Sequence, residues 1–301
     1  MNVDVRHLRA FLAVADEQSF TRAAERLHIT QPSLSVIIRD LEGALDLKLF
    51  DRTTRAVSLT MAGRYLMTDA RRLVRELERS LSDLRSITDL ERGSLKLAVL
   101  PSIATSIVPA ALAEFCRHYP AIDIQVEDCR ADSVLDAVDS ADADLGITVL
   151  TPQLAADYES TLLAQDALVA ILPAEHPLNC KPKLTWRELE GEPLIAMRAG
   201  SSVAHLIEDS GVASAFDLRF SLQVSYMSSA VAMTQAGLGI TVLPSLGVGA
   251  LLTPETVLKP LVEPCVRRDI ALIQRRDRWI PPAAEAFKQI LKEISPAFGN
   301  Q

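Results

Sequence analysis

The 301-residue chain is predicted to be α+β overall, in three parts: a small head with three helices and a β-hairpin, one long linker helix, and a two-lobed α/β domain. Three observations carry that prediction. Between Ser19 and Leu45 two helical segments meet across a three-residue connection. From Met61 to about Leu90 apolar residues recur at helical spacing. Beyond Arg92-Gly93-Ser94, a hinge, short apolar strands alternate with helices, the pattern of sheets covered on both faces.

The head opens with a helix over Val5–Ala15, with Leu8, Phe11, Leu12 and Ala15 on one face. Ser19 is placed to cap the next helix, about Phe20 to Leu27, because its hydroxyl accepts an orphan backbone N–H. Ala23, Ala24 and Leu27 make its apolar face. His28-Ile29-Thr30 is the turn, with Ile29 inward. Thr30 caps the second helix, and Pro32 sits in its first turn, where a missing N–H costs nothing. Leu34, Ile38, Leu41 and Leu45 form one stripe. With that stripe inward, Gln31, Pro32, Ser33, Ser35, Val36 and Arg39 lie on or near the outer face. The pattern is a helix-turn-helix whose outer face suits a major groove. Taken alone it also fits two core helices of an α-protein.

The residues after Leu45 narrow the choice. Leu47, Leu49, Val57 and Leu59 alternate around a polar tip bearing Arg52 and Arg55. This reads as a β-wing whose arginines reach phosphates or the minor groove. Thr60 then caps the long helix. Leu66, Ala70, Leu73, Leu77, Leu84 and Ile87 form a narrow seam that predicts pairing with a second copy. Two copies would present two reading helices to a two-fold operator. Charge agrees: residues 1–92 hold 15 basic and 14 acidic residues, and 93–301 hold 16 and 25, so the net charge of −8 lies outside the head.

The order of Ser19-Phe20-Thr21-Arg22-Ala23-Ala24-Glu25-Arg26-Leu27, Thr30-Gln31-Pro32-Ser33-Leu34-Ser35, Leu49-Phe50-Asp51-Arg52-Thr53 and Leu59-Thr60-Met61-Ala62-Gly63 resembles the LysR-type transcriptional regulators, and the resemblance extends over the whole chain. It implies DNA contacts from Gln31, Pro32, Ser35, Arg52 and Arg55, with Thr30, Ser33, Val36 and Arg39 beside them. The family usually carries Arg where this chain has Val36; a valine there can touch a thymine methyl instead. The implied organisation is a winged helix-turn-helix over 1–60, a dimerisation helix over 61–92, and a periplasmic-binding-protein-like effector domain over 93–301. Lobe I would hold 93–163 plus 268–301, and lobe II 164–267.

Within that last domain, strands are expected at Leu95–Leu100, Ile122–Glu127, Asp144–Val149, Ala167–Leu172, Leu194–Met197, Leu218–Val224, Gly239–Pro244 and Arg268–Gln274. Helices are expected at about Ile103–Arg117, Ser133–Ser140, Ser228–Gln235 and Pro281–Ile294, with another after Ser201-Ser202 and a short one at Trp186–Leu189. Ligands of open α/β sheets bind where strands end and helices begin. Pro101, Ser102 and Ile103 after the first strand, and Ser201 and Ser202 after Gly200, satisfy this, with free N–H groups at helix starts. Arg130, Thr148 and Tyr226 complete the candidate site, and a small organic anion or aromatic acid is the expected guest. Each serine is equally an ordinary helix cap, and Arg130 has Asp128 and Asp132 as neighbours. The resemblance implies effector contact at Ser102 and Arg130.

Other functions find less support. Gly237-Leu238-Gly239 lacks the third glycine of a dinucleotide fingerprint, and His118 and His205 have no nucleophile at motif spacing. No enzyme activity, cofactor or metal is expected. No apolar run is long enough to span a membrane, and Met1-Asn2-Val3-Asp4 lacks the features of a signal peptide. A cytoplasmic protein is therefore expected, and a transported-solute receptor is disfavoured. Cys116, Cys129, Cys180 and Cys265 are scattered and read as free thiols. A thiol-responsive regulator of the same fold is the alternative, with Cys129 as its one candidate. The expected partners are double-stranded operator DNA, a small effector, further copies of the chain as dimer or tetramer, and RNA polymerase.

Overall fold

The computed structural model describes residues 3–52, 57–86, 93–152 and 154–298. They form two compact units, one carrying the described residues up to 86 together with 139–142, and one carrying the described residues of 93–138 and 143–298.

The first unit begins with α1 (Val5–Glu17), α2 (Phe20–Arg26) and α3 (Gln31–Leu45). Ser19 Oγ accepts from Arg22 N and Thr30 Oγ1 accepts from Ser33 N, both at 3.4 Å, so both caps form. The turn between α2 and α3 is tight because His28 takes a left-handed backbone, φ 54°. Ala23, Ala24, Leu34, Ile37, Ile38 and Leu41 are buried, as their spacing requires. Leu45 is only half-buried. On α1 the buried set is Ala10, Phe11, Ala13 and Val14, one step round from the expected face. Phe50 closes this core against Phe11 and Phe20, with ring centroids 5.4 and 6.0 Å away. Each such side chain contributes about 1.5–3 kcal/mol on burial.

The wing is β1 (Phe50–Arg52) paired antiparallel with β2 (Val57–Leu59), Phe50 opposite Leu59. The linker helix is α4 (Met61–Ser86); the expected hinge residue Arg92, and Ile87 and Leu90 of the expected helix, lie outside the described residues. The first part of the expected seam on α4 is used within the head itself. Ala70 is fully buried, and it and Leu66 pack into the head's own core. Met61 and Tyr65, at 83% and 82% exposure, point outward on another side of α4, while Leu73 and Leu77 of the expected seam stay exposed further along the helix. A strict heptad pattern does not capture this because the first turns of α4 serve two surfaces at once.

The second unit runs β3 (Gly93–Val99), α5 (Pro101–Ala104), α6 (Ile107–His118), β4 (Ile122–Asp128), α7 (Ala131–Asp139), β5 (Leu145–Val149), α8 (Leu154–Asp157) and β6 (Tyr158–Pro173). It continues with β7 (Leu184–Thr185), β8 (Pro193–Met197), α9 (Ser202–Asp209), α10 (Val212–Ala215), β9 (Arg219–Val224), α11 (Met227–Gln235), β10 (Ile240–Pro244), β11 (Thr256–Val262), β12 (Arg267–Arg275) and α12 (Pro282–Ile294). Gly93 and Ser94 therefore open a strand instead of forming a hinge.

In lobe I, β3 lies parallel between β4 and β5, and β12 runs antiparallel to β5. In lobe II, β8 lies parallel between β10 and β9. The long strand β6 joins the two. Tyr158–Ala167 pairs with β12, and Leu168–Pro173 pairs with β10 and β11. The sheets are thus mixed, where alternation alone suggested parallel ones. Lobe I is filled around Phe115 and Phe287, stacked edge-on at 5.6 Å, and lobe II around Trp186, whose Nε1 donates to Pro264 O at 3.0 Å.

Two further departures have local causes. The helix expected over 103–117 is broken between α5 and α6. Pro109 lacks an N–H, and its ring collides with the carbonyl four residues earlier, at Thr105, so the helix restarts just beyond that point. β11 was not anticipated because Lys259-Pro260 interrupts its apolar pattern; Pro260 pairs with Val169 on one side only, β7 joining from Leu261 onward, and a missing N–H is tolerated at such an edge position.

Candidate nucleic-acid interface and ligand site

On α3, Gln31, Pro32, Ser33, Val36 and Arg39 are exposed and Ser35 half-buried, the placement that the inward stripe required. Thr30, the cap, is exposed beside them. Gln31 Nε2 donates to Ser35 Oγ at 2.9 Å, and Thr30 Oγ1 and Ser33 Oγ lie 2.8 Å apart. The N-terminal face of α3 therefore presents a short ordered row of amide and hydroxyl groups. Val36 interrupts it with a 47% exposed apolar side chain. Arg52 ends β1. Its side chain, and Arg55, lie outside the described residues.

Glu42 was not anticipated. It lies on the buried side of α3, 4% exposed, and accepts from Leu49 N and Phe50 N at 2.9 and 3.3 Å and from Lys48 Nζ at 3.0 Å. Burial opposes its ionisation, but the Leu49 N–H, Lys48 and the Phe50 N–H outweigh it, and the carboxyl is held below its ordinary range. The clue in the sequence was an acid four residues after Ile38, on the apolar stripe.

In the second unit, one side chain gathers the candidate ligand residues, and it too was missed. Arg268, at the start of β12, is 4% exposed. Its Nε and Nη2 donate to Asp166 Oδ2 at 3.0 and 2.7 Å. Its Nη2 also donates to Ser102 Oγ at 2.7 Å, and its Nη1 to Ser202 Oγ at 3.2 Å. Asp166 Oδ1 accepts from Ser245 Oγ and Leu246 N, both at 2.9 Å. Ser102 of lobe I and Ser202 of lobe II thus meet at one guanidinium. Burial lowers the Arg268 pKa and the Asp166 carboxylate pushes it back up. Sequence separation hid this pair, although an acid inside the apolar strand β6 was a signal.

The other candidates fare unequally. Ile103 is fully buried in the lobe I core, and its N–H already donates to Leu100 O at 2.9 Å. The expected open helix start after β3 is therefore corrected: Pro101, exposed, has no N–H, and Ile103 has spent its own. Ser201 Oγ caps α9 by accepting from Ala204 N at 3.1 Å. Among the described residues, the Ser202 and Val203 N–H groups have no acceptor. Arg130 pairs with Asp132 at 3.2 Å, and its Nη2 would stand 2.7 Å from a Cβ on Gly200, so it reaches lobe II next to Ser201. Thr148 is buried on β5, while Tyr226 is 70% exposed ahead of α11.

Cys129 is half-buried, and the other three cysteines are exposed. Burial, then the charges of Glu127, Asp128 and Asp132, push its thiol up to about 11. No cluster of metal ligands is present among the described residues, and no helix is long and apolar enough to cross a membrane.

Residues 5–64 match the family described as "Bacterial regulatory helix-turn-helix protein, lysR family", and residues 88–295 match the "LysR substrate binding domain". YbhD, an uncharacterised HTH-type transcriptional regulator of Escherichia coli K12, is 32% identical over 97% of this chain and 92% of that protein. The RuBisCO operon transcriptional regulator of Allochromatium vinosum is 29% identical over 97% and 96%. Two solved structures share the fold. Full-length CbnR in complex with its target DNA has TM-score 0.73 and 23% identity, over 97% of this chain and 99% of that one. A full-length OxyR from Pseudomonas aeruginosa has TM-score 0.73 and 24% identity, over 98% and 95%. Matches to both family models over 5–64 and 88–295, with a full-length relative at 32% identity, place this chain in the LysR family of DNA-binding, effector-binding transcriptional regulators.

Proposed function

We propose that the chain binds a two-fold operator as a dimer and is switched by a small organic anion held between its lobes. Gln31, Pro32, Ser33, Ser35 and Val36 read base edges from α3, while Thr30, Arg39, Arg52 and Arg55 meet phosphates. The exposed part of the α4 seam supports the dimer: Leu73 and Leu77 are large apolar side chains left in water in a single copy, as are Met61 and Tyr65 on another side of the helix. A dimer of dimers on DNA, with altered bend or RNA polymerase contact as its output, extends the same reading.

The observation that carries the ligand class is the Arg268 guanidinium. It donates to both Ser102 Oγ and Ser202 Oγ, so each hydroxyl must turn its own proton elsewhere. Neither proton has an acceptor among the described residues. Arg268 is already neutralised by Asp166, and the junction therefore offers polarised O–H donors rather than a bare charge. Such a site takes an acceptor-only group, a carboxylate above all. Arg130 and the unspent Ser202 and Val203 N–H groups add to the donor set.

Two measurements test the reading. Footprinting on DNA upstream of the chain's own reading frame should show salt-sensitive, sequence-specific protection; uniform binding or none refutes the operator. A thermal-shift screen of organic and aromatic acids should raise the melting temperature of the wild type but not of Ser102→Ala. A rise unchanged in Ser102→Ala moves the ligand away from this junction.

A further inference from the structure

Residues Lys48 to Phe50, at the base of the wing, are held from two sides. From α3, Glu42 Oε1 takes the N–H groups of Leu49 and Phe50. From the start of α4, Thr60 Oγ1 donates to Lys48 O at 2.7 Å and Thr60 N to Leu49 O at 3.0 Å. Thr60 Oγ1 in turn accepts from Gly63 N at 3.0 Å. A Cβ on Gly63 would stand 2.3 Å from Leu49 O, so the first turn of α4 lies directly on this strand. Three residues therefore join the reading helix, the wing and the linker helix through their backbone groups.

The geometry points to Glu42 as a positioning residue for DNA binding: from the buried side of α3 it fixes the base of the wing, and so the station of Arg52 relative to the Gln31–Arg39 face. Glu42 touches no nucleic acid, because it lies under the helix. Its two oxygens divide the work, Oε1 on the wing backbone and Oε2 on Lys48. Thr60 and Gly63 clamp the same strand from its carbonyl side, so a rotation of α4 carries the wing and α3 with it instead of being absorbed between them. The inference rests on the reading of the wing as a phosphate-contacting element.

The test uses the full-length chain and a duplex spanning the DNA upstream of its reading frame, titrated at several salt concentrations. Glu42→Ala weakens binding roughly tenfold and lowers the salt slope by about one ion. Added to Arg52→Ala it weakens binding no further, because the contact that Glu42 positions is already gone. Glu42→Gln, which keeps a carbonyl oxygen for both N–H groups, retains most of the affinity. An unchanged salt slope, or losses that multiply in the double variant, overturns the inference. Amide exchange of the DNA-free chain is the second arm. Glu42→Ala speeds exchange at Leu49 and Phe50 roughly tenfold or more while Leu34–Leu41 keep their protection. Protection lost equally along α3 shows a purely structural role and overturns the inference. Where Glu42→Ala does not fold, Glu42→Asp, one methylene shorter, is read in both arms with the same pattern expected. A wild type that ignores the duplex refutes the DNA reading alone, and the exchange arm still decides whether Glu42 holds the wing.

Discussion

Arg268 and Asp166 lie 102 residues apart in the chain, yet two guanidinium nitrogens of one donate to a single carboxylate oxygen of the other, at 3.0 and 2.7 Å. The side chains are 1% and 0% exposed. Removing one partner leaves the other charged and unpaired, which costs about 3–5 kcal/mol. Arg268→Ala and Asp166→Ala should each destabilise the second unit by that order in chemical denaturation. The double variant Asp166→Leu/Arg268→Met should recover most of it, because no buried charge remains. A double variant as unstable as the sum of the singles would show that the pair contributes through its geometry instead.

Val36 stands 47% exposed on the outer face of α3. Val36→Arg should tighten operator binding and steepen the salt slope by about one ion. An unchanged slope would show that this position faces away from the duplex.

Two glycines in the head should respond to alanine in opposite directions. Gly43 lies within α3 with open space where its Cβ would go. Gly43→Ala should stabilise the head by about 0.5–1 kcal/mol, since alanine loses less backbone freedom in a helix. Gly63→Ala drives a methyl group to 2.3 Å from Leu49 O and should destabilise it, by about 1–3 kcal/mol. Thermal melts of the two variants against the wild type decide both.

The Glu42 carboxyl is held below its ordinary value of 4.5 despite burial, by the Leu49 N–H, Lys48 and the Phe50 N–H. Its folded state therefore binds fewer protons than the unfolded one. The stability it lends is complete above the ordinary carboxylate range and is lost as pH falls through the lowered folded value. The head's acid unfolding should show this limb, and Glu42→Gln should flatten it.

Cys129 should make a poor redox sensor. Its thiol, raised from 9.0 to about 11 by burial and three neighbouring acids, is protonated at neutral pH, and the thiolate is the reactive form. At neutral pH it should alkylate more slowly than Cys116, Cys180 and Cys265, as mass spectrometry of timed iodoacetamide labelling would report. The raised value also means that its contribution to stability is intact below about pH 9 and lost as pH climbs through about 11. Fast labelling at Cys129 would revive the thiol-responsive reading.

Local pattern alone determined the reading head: the caps at Ser19 and Thr30, the stripe through Leu34, Ile38 and Leu41, and hence the outward row from Gln31 to Arg39. Helix periodicity and capping act within a few residues, so they are written where they act. The positions of the strands before and after the lobe junction were legible for the same reason. Tertiary structure alone decided what the buried charges do. Nothing local shows that Glu42 turns back onto Leu49 and Phe50, or that Ala70 packs into the head while Tyr65 stays outward. Nor does any local pattern reveal that β6 continues through both lobes and carries Asp166 to Arg268. A buried charge is tolerated only where distant chain brings it a partner, and partnership across 102 residues is a property of the folded chain, not of any stretch of it.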